Sequence, residues 1–265
     1  MTVITITSFG RFGNSIIQII NCINIALQKG YNKVVFPEHN FLSSKEIILK
    51  DVKSQITEPI SGIFFSSKDI LSLNCSVPCF TKKRKIALEY IIPILKVYRL
   101  DSELLSNLGD EDVICFHIRG GDIFIKSQPH PGYIQPPLWF YEKIIEQYKW
   151  KKVILVSEDN LNPVVPELLK KYPELVNWNK RTLEQDISII LNARNIAIGV
   201  GTFCTSIFLL SNTLPKIWVT DISNESILLK GIDNLNVLKC PGYIKSGEWK
   251  NTKEQREIMV SYKPE

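Results

Sequence analysis

The stretch CFHIRGGDIF, residues 115–124, combines residue types that suit the binding of a negatively charged group. His117 and Arg119 stand two positions apart near the end of an apolar run, so an extended strand would place both on one side. A guanidinium at the carboxyl end of a parallel strand can hold a phosphate through two parallel hydrogen bonds. The glycines that follow allow close backbone approach, and Asp122 can orient the arginine or the histidine. We therefore expect a diphosphate clamp here, with a surface ion pair beside a core histidine as the alternative.

A second candidate site lies in TSFGRFGN, residues 7–14, between an apolar run and a predicted helix. Gly10 and Gly13 suit a tight turn, and Asn14 suits the cap of the helix. Arg11 could hold a phosphate or a carboxylate at the helix N-terminus. The segment contains neither the GxGxxG fingerprint nor a Walker loop, so by itself it does not identify a nucleotide site.

The predicted helix after this turn carries uncharged amides along one face, at the three- and four-residue spacings of an α-helix. They are Asn14, Gln18, Asn21, Asn24 and Gln28. Such a stripe fits either the solvent edge of a buried helix or the wall of a semi-buried cleft.

Two later strand ends offer similar chemistry. The acids of Ser157-Glu158-Asp159 end one apolar run, and Gly199-Val200-Gly201 ends another before a predicted helix. Small hydroxyl residues that follow glycines at a helix N-terminus favour an anion, although helix capping would account for the first of them. The hydroxyl residues are Thr202, Thr205 and Ser206.

The loop SQPHPGYIQPPLWFY contains four prolines and several aromatic side chains, which suggests a stiff loop over a site before a helix at residues 138–149. His130, Tyr133 and Trp139 could form a wall for an acceptor molecule. Packing within the loop is the alternative for these three.

The composition is that of a globular protein, with 45% hydrophobic and 22% charged residues among 265. These values exclude a disordered or fibrous chain. The net charge is +5, and the one dense basic run, residues 82–85, lacks interleaved aromatic residues, so we expect no nucleic-acid partner. The sequence shows neither a signal peptide nor an apolar stretch of membrane length, and we expect a cytoplasmic location with no integral membrane segment.

Metal binding is not indicated by the cysteines or by the acidic string. Cys75 and Cys79 have no second cysteine pair and no nearby histidine, so a loop disulfide is the remaining alternative for them. Asp110-Glu111-Asp112 precedes a strand, at the edge away from the expected site, and fits a turn.

Short apolar, β-branched runs alternate with helical segments, which is typical of an α/β fold with parallel sheets. The runs cover residues 3–7, 33–36, 113–118, 152–157, 195–200 and 216–220. The pattern weakens between residues 51 and 110, where a polar segment suits a connector. We therefore predict two Rossmann-type lobes, residues 1–105 and 106–265, that face each other across a cleft.

Taken together, the motifs resemble those of fucosyltransferases of the two-Rossmann-lobe (GT-B) glycosyltransferase class. GRFGN at 10–14 resembles the N-terminal motif of protein O-fucosyltransferases. HIRGGD at 117–122 resembles the HxRxxD signature of α1,2- and α1,6-fucosyltransferases. SED at 157–159 and the block at 186–208 follow in the order of that group's later motifs.

This resemblance implies an inverting transfer from GDP-β-L-fucose to a glycan hydroxyl, with no metal and no other cofactor. Arg119 would neutralise the leaving diphosphate, His117 would line the nucleotide pocket, and Asp122 completes the catalytic set. The implied donor-binding residues, with Asp186 near the guanine, are Arg11, Gly13, Asn14, Asp186, Thr202, Thr205 and Ser206.

Several points stay open at this stage. Gly120 stands where the α1,2 and α1,6 families commonly have a second arginine, so the linkage is undecided, with the α1,2 type favoured. The candidates for the catalytic base are Asp122, Glu158, Asp159 and His130. The alternatives are another donor, such as a GDP- or dTDP-linked deoxysugar or heptose, and a nucleotide- or glycan-binding protein without turnover.

Overall fold

The structure is a computed structural model that describes residues 3–50, 52, 58–96, 108–222, 229 and 232–264. The chain divides into two compact units, Met1–Val97 with Thr205–Asn212, and Tyr98–Cys204 with Thr213–Glu265. The predicted lobe boundary between residues 105 and 106 lies outside the described residues. The assignment of residues 205–212 to the first unit has no counterpart in the sequence prediction.

The first unit is built on a four-stranded sheet. Its elements are β1 (Val3–Ile6), α1 (Phe12–Lys29), β2 (Lys33–Val35), β3 (Glu46–Ile48), β4 (Ile60–Gly62), α2 (Ser67–Ser72) and α3 (Phe80–Ile86). A π-helical turn (Ala87–Ile91) and a 3-10 turn (Ile92–Ile94) follow. The strand order is β3-β2-β1-β4, with β1 parallel to both of its neighbours and β3 antiparallel at the edge.

The amide stripe of α1 binds a neighbouring segment of the same unit. The Nδ2 atom of Asn21 donates to the carbonyls of Phe64 and Phe65 at 3.0 and 3.1 Å. Asn24 and Gln28 both donate to the carbonyl of Ser76. Three of the five predicted amides therefore hold the chain that follows β4, and of these Asn21 and Asn24 are buried while Gln28 lies at the solvent edge.

The basic run at 82–85 lies within α3, and one of its side chains has a structural role. Arg84 donates from Nη2 to the carbonyls of Ser211 and Asn212, at 2.8 and 2.6 Å. Burial lowers the pKa of Lys83, so that side chain is also partly withdrawn from solvent. The run thus forms part of a helix of the first unit, as the expectation of a helix start allowed.

The second unit is built on a six-stranded parallel sheet. Its elements are β5 (Val113–His117), α4 (Asp122–Ile125), α5 (Leu138–Gln147), β6 (Lys152–Val156), α6 (Val164–Lys171), β7 (Val176–Asn177), α7 (Leu183–Asn192), β8 (Asn195–Ile198), α8 (Thr202–Leu210), β9 (Lys216–Thr220), β10 (Leu235–Leu238) and α9 (Lys253–Ser261). Its strand order is β10-β9-β8-β5-β6-β7, and every described pairing is parallel. This is the 3-2-1-4-5-6 order of a Rossmann sheet.

The central strands of this sheet are apolar on both faces, because helices cover both sides. Every residue of β8 is buried. In β5 all residues are buried except the last, His117, which is partly exposed. The α/β prediction with Rossmann-type sheets is confirmed. Within the part of the chain that the structure describes, no helix is long and apolar enough to cross a membrane.

The stripe on α1 yields a stability prediction. Phe64 has a positive φ of 53°, a conformation that is unfavourable for a bulky side chain, and Asn21 bonds to its carbonyl. We expect Asn21→Ala to lower the free energy of unfolding by about 2 kcal/mol, because two carbonyls lose their donor. Urea titration followed by far-UV circular dichroism measures the change.

The control for this variant is Gln28→Ala, which removes hydrogen bonds that are exposed. A change of about 0.5 kcal/mol or less is expected there. Equal effects of the two substitutions would contradict a structural role for the buried part of the stripe.

Candidate functional site

The candidate site lies where the strand order of the second sheet reverses. β5 has β6 on one side and β8 on the other, and the chain leaves their carboxyl ends in opposite directions. Ligands of open α/β sheets bind in the crevice at this position. The loops after β5 and β8 meet there, since a methyl group on Gly201 would lie 3.1 Å from Nη1 of Arg119. The glycine, whose φ is 143°, is thus needed for the close approach.

Two side chains orient the guanidinium of Arg119. Its central carbon lies 4.1 Å from the ring centroid of Tyr133, a cation–π contact. Its Nη2 atom lies 3.4 Å from Oδ1 of Asp122. The side chain of Arg119 is 20% exposed. The arginine is therefore held in one direction while part of it can still meet a ligand.

The acids that follow β6 shape the loop that carries Arg119. The backbone N–H of Gly121 donates to Oδ2 of Asp159 at 3.0 Å. A methyl group on Gly120 would lie 2.2 Å from Oδ1 of Asp159, and one on Gly121 would lie 2.4 Å from Oε2 of Glu158. Gly121 also has a φ of 66°. Both glycines are therefore required for the loop to lie against these carboxylates.

Asp159 is engaged on all sides, which weakens its case as a catalytic base. Its Oδ1 accepts from the N–H of Leu161 at 3.0 Å, and its carbonyl accepts from Oγ of Ser157 at 2.7 Å. A carboxylate that holds two loops together is a support for the site. Asp122, in contact with Arg119, remains a candidate.

His117 is a neutral histidine at neutral pH. Burial and the nearby charge of Arg119 lower its pKa to about 4. Its ring centroid lies 5.4 Å from that of Phe203, and its buried Nδ1 has no hydrogen-bond partner among the described residues. Because the folded-state pKa is below the ordinary value, His117 contributes stability that is lost as pH falls from about 6.5 toward 4.

Asp186 is a partly buried carboxylate of this unit. Burial raises its pKa to about 6, which the charge of Arg181 partly counteracts. Its Oδ1 is buried and accepts no hydrogen bond from any described residue. A buried carboxyl with unused hydrogen-bonding capacity is a typical mark of a functional position. Its predicted role near a guanine stays a prediction.

The hydroxyl residues of α8 differ in accessibility. Thr202, the first residue of the helix, is partly exposed. Thr205 is 6% exposed, and its buried Oγ1 has no partner among the described residues. Ser206 is fully buried, which does not favour the predicted direct contact with a phosphate. The division between the two units also falls inside this helix, between Cys204 and Thr205.

The predicted acceptor wall does not form as a group of three. The rings of His130 and Tyr133 lie 4.9 Å apart, and Tyr133 supports Arg119. Nδ1 of His130 accepts from the N–H of Gly132, within its own turn. Trp139 instead packs against the core, with its ring 6.2 Å from Tyr262. Packing within the loop thus describes His130 and Tyr133, and their contact with an acceptor stays a prediction.

Gly13 and Asn14, which follow the glycine-flanked arginine of the first unit, are placed differently from the prediction. α1 begins at Phe12 with Arg11 as its N-cap, so Gly13 and Asn14 lie inside the first turn and neither turns the chain before the helix. The cap has no side-chain hydrogen bond, and Ser15 donates from Oγ to the carbonyls of Gly10 and Arg11. The predicted capping role of Asn14 is wrong. Arg11 stands at the helix N-terminus, as expected.

Sequence reasoning missed three supporting residues of the second unit. Gln135 is buried and donates to the carbonyls of Tyr133 and Val200, which joins the proline-rich loop to the turn after β8. Asn162 donates to the carbonyl of Arg119 at 3.0 Å. Arg181 donates to the carbonyl of Leu155 at 2.9 Å. This carbonyl lies past the two residues of β6 that pair with the short strand β7. The bonds to Val200, Arg119 and Leu155 join residues distant in sequence, so no local pattern predicts them.

The cysteines and the acidic string take structural positions. Cys75 and Cys79 are both free, so the loop disulfide does not form. Glu111 forms an ion pair with Arg194 in the turn before β5. No group of three or more histidine, cysteine or acidic side chains suited to a metal occurs in the described ranges.

Comparison with known proteins finds likeness in structure alone. No family model matches the chain, and no curated protein matches it. Similar solved structures include POFUT1 in complex with GDP-fucose, with 11% identity, a TM-score of 0.46, and coverage of 82% of this chain and 97% of that chain.

Two E. coli heptosyltransferase structures are also similar. WaaC with ADP-2-deoxy-2-fluoro heptose has 8% identity and a TM-score of 0.44, over 97% of this chain and 98% of that one. ADP-heptose lps heptosyltransferase II has 11% identity and a TM-score of 0.42, over 97% and 96%. At such identities and scores, these likenesses do not decide the activity of the chain.

The close packing of the loop after β5 can be tested with alanine. We expect Gly120→Ala to lower the melting temperature by several degrees, because the added methyl group collides with Asp159. Gly109→Ala is the matched control, since a methyl group there meets nothing within 4 Å. Differential scanning calorimetry of both variants decides the matter, and equal melting temperatures would count against the described loop.

Asp186 yields a prediction about pH. Its raised pKa means that the folded protein binds a proton more tightly than the unfolded chain, so the carboxylate opposes folding at pH values above about 6. We expect Asp186→Asn to raise the melting temperature at pH 7.5, and the gain should shrink as pH falls toward 4. Exposed Asp112→Asn is the control and should show no such trend. A stabilisation that is independent of pH would contradict the assignment.

Proposed function

We propose that the chain is an inverting glycosyltransferase of the GT-B class that transfers L-fucose from GDP-β-L-fucose to a glycan hydroxyl, with an α1,2 linkage favoured and no metal ion required. The observation that supports this most is the position of Arg119. Its guanidinium lies at the switch point of a Rossmann-order sheet and is oriented by Tyr133 and Asp122. A fixed cation at that edge suits the diphosphate of a nucleotide sugar.

The proposed reaction places the largest change in charge at Arg119. The acceptor oxygen forms a bond to the anomeric carbon from one face, while the bond from that carbon to the diphosphate breaks on the other. The electron pair stays on the β-phosphate, and the hydroxyl proton passes to a base. Because negative charge concentrates on the leaving group, a cation already in place lowers the barrier without reorganisation.

The neighbours of Arg119 make this cation available. The electron-rich ring of Tyr133 covers one face of the Arg119 guanidinium. This contact uses none of the N–H donors of the guanidinium. Asp122 contacts Nη2 at 3.4 Å, a long ion pair that an incoming phosphate can replace. His117, held neutral by its lowered pKa, adds a hydrogen-bonding group without repelling the guanidinium.

The remaining donor contacts belong to this proposal as well. Thr202 and Thr205 would bind the phosphates, and Asp186 would accept hydrogen bonds from the base through its buried Oδ1. We propose Asp122 as the base that takes the acceptor proton, since Asp159 is committed to the loop.

A different nucleotide sugar is the second candidate for the donor. A guanidinium clamp recognises a diphosphate, which all nucleoside diphosphate sugars share, and it does not read the base or the sugar. GDP- or dTDP-linked deoxysugars and heptoses therefore remain alternatives within the same reaction class. A binding protein without turnover would retain the clamp and show no transfer.

Calorimetric titration with GDP, ADP, UDP, dTDP and GDP-fucose tests the proposal, with EDTA present throughout. Selective micromolar binding of GDP and GDP-fucose is the expected result. Selectivity for another nucleotide would replace the donor, and binding that requires an added divalent cation would contradict the metal-independent part. Absence of binding by every nucleotide would reject the diphosphate clamp.

Arg119→Lys tests the clamp itself. The ammonium keeps the charge and loses the two-pronged geometry, so we expect transfer to fall about a hundredfold or more while the free energy of unfolding changes by about 1 kcal/mol or less. Arg194→Lys, at an exposed arginine paired with Glu111, is the matched control and should leave GDP binding unchanged. An unaltered transfer rate in Arg119→Lys would reject the assigned role.

A further inference from the structure

A cavity of about 360 Å³ lies at the amino ends of the strands of the second unit. Glu111 precedes β5, Trp150 precedes β6, Arg194 precedes β8, and Lys216 begins β9. The candidate site with Arg119 lies at the opposite, carboxyl ends of these strands. A strand of five residues spans about 16 Å, so the cavity is separate from that site.

One wall of the cavity is aromatic and rigid. The rings of Tyr148 and Trp150 have centroids 5.2 Å apart at an angle of 44°. Both stand against buried Trp218, at 80° and 82° to its ring. Nε1 of Trp150 donates to the carbonyl of Ile144 at 2.9 Å, which fixes the indole. Tyr148 nevertheless remains 39% exposed, so part of this aromatic side chain can contact a ligand.

Polar groups surround this aromatic wall. Arg194 and Glu111 form an ion pair on one side, and the side chain of Asn234 also lines the cavity. Nζ of Lys216 lies 4.8 Å from the ring centroid of Tyr148 and 3.4 Å from its hydroxyl. The cavity therefore offers both donors and acceptors of hydrogen bonds. Since each cation already has a compensating partner, it is not a dedicated site for an anion.

We propose that this cavity binds a pyranose unit of an oligosaccharide. A pyranose ring has an apolar face of C–H groups, which packs on an aromatic ring, and a rim of hydroxyl groups, which pair with amide and charged side chains. A nucleobase is less suitable, because it stacks best between parallel rings and the two rings here are tilted. The volume lies in the lower part of the range of small-ligand sites. The inference does not depend on the proposed transferase reaction.

Saturation-transfer NMR on the full chain tests the proposal with lactose, N-acetyllactosamine, maltose and cellobiose as separate probes. Magnetisation should reach the ring protons of at least one of them. Tyr148→Ala should weaken the binding of that sugar about tenfold, or about 1.4 kcal/mol, because the apolar face is removed. Tyr148→Phe keeps the ring and should retain binding within about twofold.

Controls separate this cavity from the site at Arg119. Arg119→Ala and saturating GDP should both leave the sugar signal unchanged, and Tyr148→Ala should retain the far-UV circular dichroism spectrum and the GDP affinity of the unaltered chain. Signals from none of the four sugars, or a signal that Tyr148→Ala leaves intact, would overturn the proposal. Loss of the signal on addition of GDP would also overturn it, by placing the sugar at the other edge. Failure of the chain to bind any nucleotide would affect the proposed function alone.

Discussion

The packing of two glycines against two carboxylates is the constraint on which the candidate site depends. The loop after β5 can place Arg119 at the switch point only if its backbone lies directly on Asp159 and Glu158. A side chain at Gly120 or Gly121 would force either the loop or these carboxylates to move. The hydrogen bond from Gly121 to Asp159 then converts this close approach into a defined loop geometry. The position of the guanidinium thus follows from the neighbouring strand, β6.

The same loop is tied on its other sides by groups from distant parts of the chain. Asn162 holds the carbonyl of Arg119, while Gln135 joins the proline-rich segment to the turn after β8. Tyr133, in that segment, supports the guanidinium. A catalytic cation has to be in place before charge develops, because reorganisation during the reaction would raise the barrier. These contacts hold the guanidinium of Arg119 in place before a ligand binds.

Electrostatics at the two ends of the sheet differ in kind. At the carboxyl ends, burial lowers the pKa of His117 to about 4, so this ring is neutral at neutral pH and does not repel Arg119. Burial also raises the pKa of Asp186 to about 6, and this carboxyl is ionised only at higher pH. At the amino ends, Arg194 is compensated by Glu111 and Lys216 lies over aromatic rings. We accordingly propose a diphosphate at the first edge and an uncharged sugar at the second.

Local sequence patterns located six of the ten strands in the described residues and missed the edge strands β3, β4, β7 and β10. Alternation of apolar runs with helical segments predicted the α/β class, and the position of Arg119 after an apolar run predicted a cation at a strand end. These predictions succeeded because burial on both sides of a parallel strand demands a continuous apolar run, whatever the rest of the chain does. The cap of α1 was misjudged because a glycine, an arginine and an asparagine all suit a helix start, and only the backbone geometry distinguishes them.

What the sequence by itself determined was therefore the fold class, the main strands and the presence of an arginine among glycines at the end of one of them. Only the tertiary structure decided the strand order that makes this end a switch point and added Tyr133 to Asp122 as a partner of Arg119. It also showed that the amides of α1 bind a neighbouring segment and that Trp139 belongs to the core. The reason is that these contacts join residues that are not neighbours in the sequence. Their pairing depends on which strands become neighbours, and no short pattern of residue types carries that information.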